Sequence, residues 1–215
     1  MFDHNYEGGM NLAAHVGAHE TVEIHEVLTC AINAIHTMQL YRPYARDPRL
    51  AQIMDKHLEF SINEYNYFVQ TLQNINGQSK MMAPSETGSY SGTQTFTPIY
   101  GLDNPPLLSP NMSPAQMDDR DVASSLLGIH KASASMKIIA ALECANPHLR
   151  AMMQQGAINC SEQAYEIWQY MNRSGYYQVP TMKEMTTNTV LSRYETTGPA
   201  PSTGFYQFQP ELRTQ

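Results

Sequence analysis

His15, His19, Glu23, Glu26 and Cys30 follow one another at steps of four, four, three and four residues, so on one continuous helix they share a face. Imidazole, carboxylate and thiolate groups stacked in this way are donors that bind transition metals. That face lies nearly opposite Ile24, Leu28 and Ile35, and Gly17 weakens the helix where it would have to begin. The cluster therefore reads as a solvated or subunit-facing surface, with a surface or intersubunit metal site as the alternative.

Elsewhere the chemistry-bearing residues are sparse. No Ser-His-Asp order, nucleophile elbow, phosphate loop or dinucleotide fingerprint is present. Cys30, Cys144 and Cys160 are an odd number at wide separations, unlike a disulfide framework or a zinc ribbon, and read as small core fillers in a reducing compartment. The 14 methionines mostly follow helical spacing, as adaptable core packing does. His57 and Glu64 stand near the edge of an apolar stripe, within possible reach of Glu20 or Glu143, and read as a satisfied polar pair. His130 and Lys131 read as structural.

These groups are carried on helices. Ile24, Leu28, Ala31, Ile35 and Met38 form one stripe over about residues 20–42, closed by Pro43. Asp47-Pro48 is a start signal for a second helix, about 48–76, with Leu50, Met54, Leu58, Ser61, Tyr65, Phe68, Leu72 and Ile75 on one face. Residues 77–113 turn to Ser, Thr, Gly and Pro and read as a crossover. Ser113, Pro114 and Gln116 make a capping-box pattern that predicts a third helix over 114–145, with Val122, Leu126, Ile129, Ser133, Met136 and Ala140 as its stripe. Asn146-Pro147 opens a fourth, 147–173, with Leu149, Met153, Ala157, Cys160, Ala164, Ile167 and Met171. Laying Asp47-Pro48 over Asn146-Pro147 superposes the second and fourth stripes, so a repeated helical hairpin is the economical reading.

Four amphipathic helices bury their stripes against one another, and two hairpins joined by a long crossover have ferritin-like connectivity. The expected fold is all-α, a ferritin-like four-helix bundle over residues 20–177, with an N-terminal segment 1–19 and an irregular C-terminal tail 178–215. A bundle of another kind with a disordered insertion is the alternative.

A ferritin-like di-metal site needs inward carboxylates and Glu-x-x-His on two helices. Here Glu59 is followed three later by Ile62, Glu64 by Tyr67, Glu162 by Tyr165 and Glu166 by Gln169, so that motif is absent. Counting about 100° per residue points Glu162 and Glu166 out of the bundle. No metal or cofactor is expected and the chain reads as non-enzymatic, with a ferritin-like metal-binding protein or di-metal oxidoreductase as the alternative.

Residues 118–180 resemble the spore coat protein F family of endospore-forming bacteria. The likeness rests on Asp121, Lys131 and Glu143, on Asn146-Pro-His-Leu149-Arg150, and on Met171-Asn172-Arg-Ser-Gly175-Tyr176-Tyr177-Gln-Val179-Pro180. Tyr176 stands where the family carries Trp. The resemblance implies a ferritin-like domain and a structural role in the spore coat, assembled from the mother-cell cytoplasm. It further implies partners that are copies of the chain itself and other spore coat proteins, hence a homo-oligomer. Gly175 suits a left-handed helix end, after which Tyr176 and Tyr177 fold back onto the bundle, as simple packing aromatics or as interaction candidates.

Composition agrees with association. Charged residues are only 15% of the 215, and 13 Lys and Arg against 20 Asp and Glu give a formal net charge of −7, which offers no general attraction to nucleic acid. No apolar run is long enough to insert in a membrane, and Met1 to Met10 reads as lacking a signal peptide. In the tail, Phe205, Tyr206 and Phe208 are further interaction candidates, anchoring it in a groove of a neighbouring subunit or on its own bundle.

Overall fold

The computed structural model describes residues 16–75, 88–92 and 95–198, and these are all-helical. The helices are α1 (Ala18–Tyr41), α2 (Pro48–Ile75), α3 (Asp119–Glu143), α4 (Pro147–Arg173) and α5 (Glu184–Leu191). No strand forms among the described residues, where single bridges join Tyr100 and Gly101 to Val179. The described residues up to Val179 form one compact unit, and those from Pro180 onward, which carry α5, another.

The starts of α2 and α4 are set by side chains at their first turns. Asp47 accepts from Arg49 N at 2.8 Å, and Asn146 accepts from His148 N and Leu149 N at 2.9 and 3.3 Å, with Pro48 and Pro147 where no amide is needed. The third helix starts later than its sequence predicts. Ser113 and Gln116 do form a capping box, but it closes a single 3-10 turn, Pro114–Gln116, after which Met117 is extended with ψ 135°. Asp118 then caps α3, accepting from Arg120 N and Asp121 N at 3.0 Å each, while Asp121 reaches back to Asp118 N at 3.1 Å.

α3 packs most extensively on α4, α1 lies against α3 and α2, and α2 also meets α4. Buried apolar residues gather in two clusters. One holds Met38, Leu50, Met54, Leu126 and Ile167, and the other holds Ile24, Val27, Phe68, Ala140, Leu149 and Met153. Along the helices, His57, Glu64, His130, Lys137 and Gln163 fall between them, Glu166 lies beside Ile167 in the margin of the first, and all are buried. The interior is therefore a polar layer between two apolar ends, not the uniformly apolar seam that the stripes predict.

The crossover is more than a connector, because it lies along α4. Tyr90 N donates to Asn159 Oδ1 at 3.0 Å, Asn172 exchanges bonds of 2.8 and 3.0 Å with the backbone of Ile99, and the Phe96 ring meets Trp168 edge-on at 5.7 Å. Two asparagines thus satisfy backbone groups of an extended segment that no strand pairs. With this strap on one side and α3 on another, α4 is buried on most of its circumference.

Candidate functional site

The polar layer is built from all of α2, α3 and α4, with Tyr90 from the crossover. Heptad steps along α2, Leu50, Met54, His57, Ser61, Glu64, Phe68 and Thr71, put His57 and Glu64 in the middle of the buried face rather than at its edge. Their partners are neither Glu20 nor Glu143. His57 Nε2 is 3.0 Å from Glu166 Oε2 and its Nδ1 is 3.0 Å from His130 Nε2. Glu64 accepts from Lys137 Nζ and from Asn159 Nδ2, the latter at 2.9 Å.

Glu166 corrects the sequence reading most directly. It is buried, not outward, because the crossover covers its face of α4. It accepts the Tyr90 hydroxyl proton and lies 3.3 Å from Lys56 Nζ, while Glu162 is exposed as expected. Burial alone would raise its pKa, but the hydrogen bonds from His57 and Tyr90 and the charge of Lys56 win, pulling it down to about 2. Burial pushes Tyr90 in the opposite sense, far above its ordinary value, and the Glu166 carboxylate adds to the shift.

A carboxylate at Glu166 fixes the direction of the chain of bonds. It can only accept, so His57 Nε2 carries hydrogen; neutral His57 then accepts at Nδ1, and His130 Nε2 is the donor. Both imidazoles are neutral, since burial lowers His57 despite Glu166, and burial with His57 and Lys137 nearby holds His130 well below 6.5. The result is an ordered file of hydrogen bonds, Tyr90 and His57 converging on Glu166 and His130 behind them.

The second half of the layer is an ion pair. Lys137 Nζ donates to Glu64, to Cys160 Sγ at 3.2 Å and to Gly156 O at 3.5 Å. Desolvation alone would lower Lys137, but Cys160 and Glu64 outweigh it and the amine is held above its ordinary value. Burial raises the Cys160 thiol against the pull of Lys137. Both halves border a cavity of about 20 Å³, room for one water, lined by His130, Lys137, Glu64, Cys160, Cys30 and Gln163 among others. Among the described residues, Gln163 Nε2 has no hydrogen-bond partner.

The residues singled out by spacing fare differently. His15 lies outside the described residues, as do Phe205, Tyr206 and Phe208. His19 is exposed and 3.9 Å from Glu143, Glu23 is half-buried, Glu26 is exposed, and Cys30 faces Ser133 Oγ at 3.6 Å. Among the described residues, no group of three or more His, Cys, Asp or Glu is placed to hold a metal ion. Tyr176 and Tyr177 do fold back after Gly175, whose φ is 72°; both amides bond Met171 O, and their rings approach Tyr170 and Trp168 at 6.2 Å each. Lys137 and Asn159 escaped the sequence reading; heptad register from Leu126 through His130 and Ser133 would have placed Lys137 inside.

A family model, the Coat F domain, matches residues 118–180. Spore coat protein F-like protein YhcQ of Bacillus subtilis strain 168 is 29% identical over 166 residues, 77% of this chain and 74% of its own. Residues 118–180 thus carry a Coat F domain, and the chain is similar to a spore coat protein F-like protein over most of its length. No solved structure matches it. The Coat F domain spans α3, α4 and the turn at Gly175, so it supplies His130, Lys137, Asn159 and Glu166, while His57, Glu64 and Tyr90 come from the preceding half.

Proposed function

We propose that the protein is a structural component of the bacterial spore coat, a non-catalytic building block that binds copies of itself or other coat proteins. In this reading it has ferritin-like connectivity and is deposited from the mother-cell cytoplasm. The match of residues 118–180 to the Coat F domain carries the proposal. Ile138, Ile139 and Leu142 support it, standing 46, 55 and 81% exposed on one face of α3, where a solitary molecule would present polar groups.

A fluorescent fusion expressed during sporulation should ring the spore, and the purified chain should be larger than a monomer by light scattering. Ile139→Glu with Leu142→Glu should shift it toward monomer with helical circular dichroism unchanged. A diffuse fusion together with a monomeric wild type would refute the building-block reading.

A di-metal role in a ferritin-like bundle does not fit these residues. Both ring nitrogens of His57 are engaged, and the Glu64 carboxylate is shared between Lys137 and Asn159.

A further inference from the structure

Lys137, Glu64 and Asn159 form a buried triad in which one carboxylate lies between an amine and a side-chain amide. Glu64 accepts from Lys137 Nζ through one oxygen and from Asn159 Nδ2, at 2.9 Å, through the other. The three side chains are almost sealed from water, at 4, 7 and 0% exposure for Lys137, Glu64 and Asn159. The Asn159 carbonyl is polarised by two donors, Tyr90 N and Gln155 Nε2, each at 3.0 Å. The Phe68 ring closes the lysine side, 5.4 Å from Nζ.

These are the parts of an amide exchange: a nucleophile, a proton carrier touching both nucleophile and leaving group, donors on the oxygen where charge develops, and a dry setting that protects the product. We propose that Lys137 and Asn159 join as an intramolecular isopeptide bond, with Glu64 as the proton carrier. Glu64 takes a proton from the Lys137 ammonium, and the freed amine attacks Asn159 Cγ. The oxyanion on Oδ1 is held by Tyr90 N and Gln155 Nε2. Glu64 returns its proton to Nδ2, the Cγ–Nδ2 bond breaks, and the nitrogen departs with the second lysine proton as ammonium. Ammonium and the new amide balance the starting ammonium and primary amide in atoms and charge, with no oxidant or co-reactant. The water-sized cavity bordering Lys137 and Glu64 gives the departing group somewhere to go. The link ties α3 to α4 and stands independently of the coat assignment.

Mass spectrometry of the purified full-length chain tests this. Intact wild type should weigh about 17 Da less than its sequence, the mass of one ammonia. Proteolysis should release one branched fragment joining Lys137 to Asn159, with trypsin unable to cut after Lys137. Lys137→Arg should restore the full mass, and Glu64→Gln should abolish or greatly slow the loss. Since removing a buried charge partner can unfold the chain, the wild-type peptide map decides by itself. Wild type at full mass after prolonged incubation, with Lys137 and Asn159 in separate unmodified peptides, would overturn the proposal. So would a mass deficit that persists in Lys137→Arg.

Discussion

Tyr90 is where a loop residue enters the interior, and removing its hydroxyl separates that role from ring packing. Tyr90→Phe leaves Glu166 short of one donor while the ring still meets His57 and Phe60 edge-on at 5.3 and 5.1 Å. A hydrogen bond to a charged group contributes about 1.5–3 kcal/mol, so unfolding in urea should show a loss near that size. Amide exchange over residues 88–92 should speed up more than over α4. The acid limb of stability tests the histidines. His57 and His130 are neutral when folded but ionise near 6.5 in the unfolded chain, so the unfolded state binds more protons below that pH and stability falls as pH drops through it. Glu166, depressed from 4.5 to about 2, contributes stability above its unfolded value that is lost as pH falls from 4.5 toward 2. Urea midpoints measured from pH 8 to pH 3 should decline in two stages, and a flat profile between pH 7 and pH 5 would contradict the buried neutral imidazoles.

At the scale of elements, the boundaries set by proline and a capping side chain were legible in the sequence, and the choice of buried face was only partly so. Asp47-Pro48 and Asn146-Pro147 each announce a helix in a way tertiary context does not alter. Choosing Leu58, Tyr65 and Leu72 over His57, Glu64 and Thr71 shifted the α2 face by one residue, because hydrophobicity is an unsafe guide where polar partners lie across the core. Glu166 was illegible for another reason: the segment that covers it is remote in sequence and has no periodicity to announce a packing partner. Gly156 offers an element-scale test. A methyl group there would come within 2.9 Å of Phe68 Cζ and 3.0 Å of Lys137 Cδ, so α4 lets the lysine pass beneath it only through glycine. Gly156→Ala should destabilise by about 1–3 kcal/mol, overcoming the better helix propensity of alanine, as read from the thermal midpoint.

For the molecule as a whole, the family likeness was legible from residues 118–180 and its all-helical character from periodicity, whereas the paired charges inside were not. Those charges bear on uniqueness more than on stability. Apolar ends tolerate sliding of one helix past another, but a shift by one turn would strand Glu64 away from Lys137 and His57 away from Glu166, at a cost of several kcal/mol for each buried charge left alone. The polar layer thus acts like the notches on a key blank. If copies tile a surface, each arrives cut to the same length and pitch, and lattice spacing is decided inside the brick before any brick meets another.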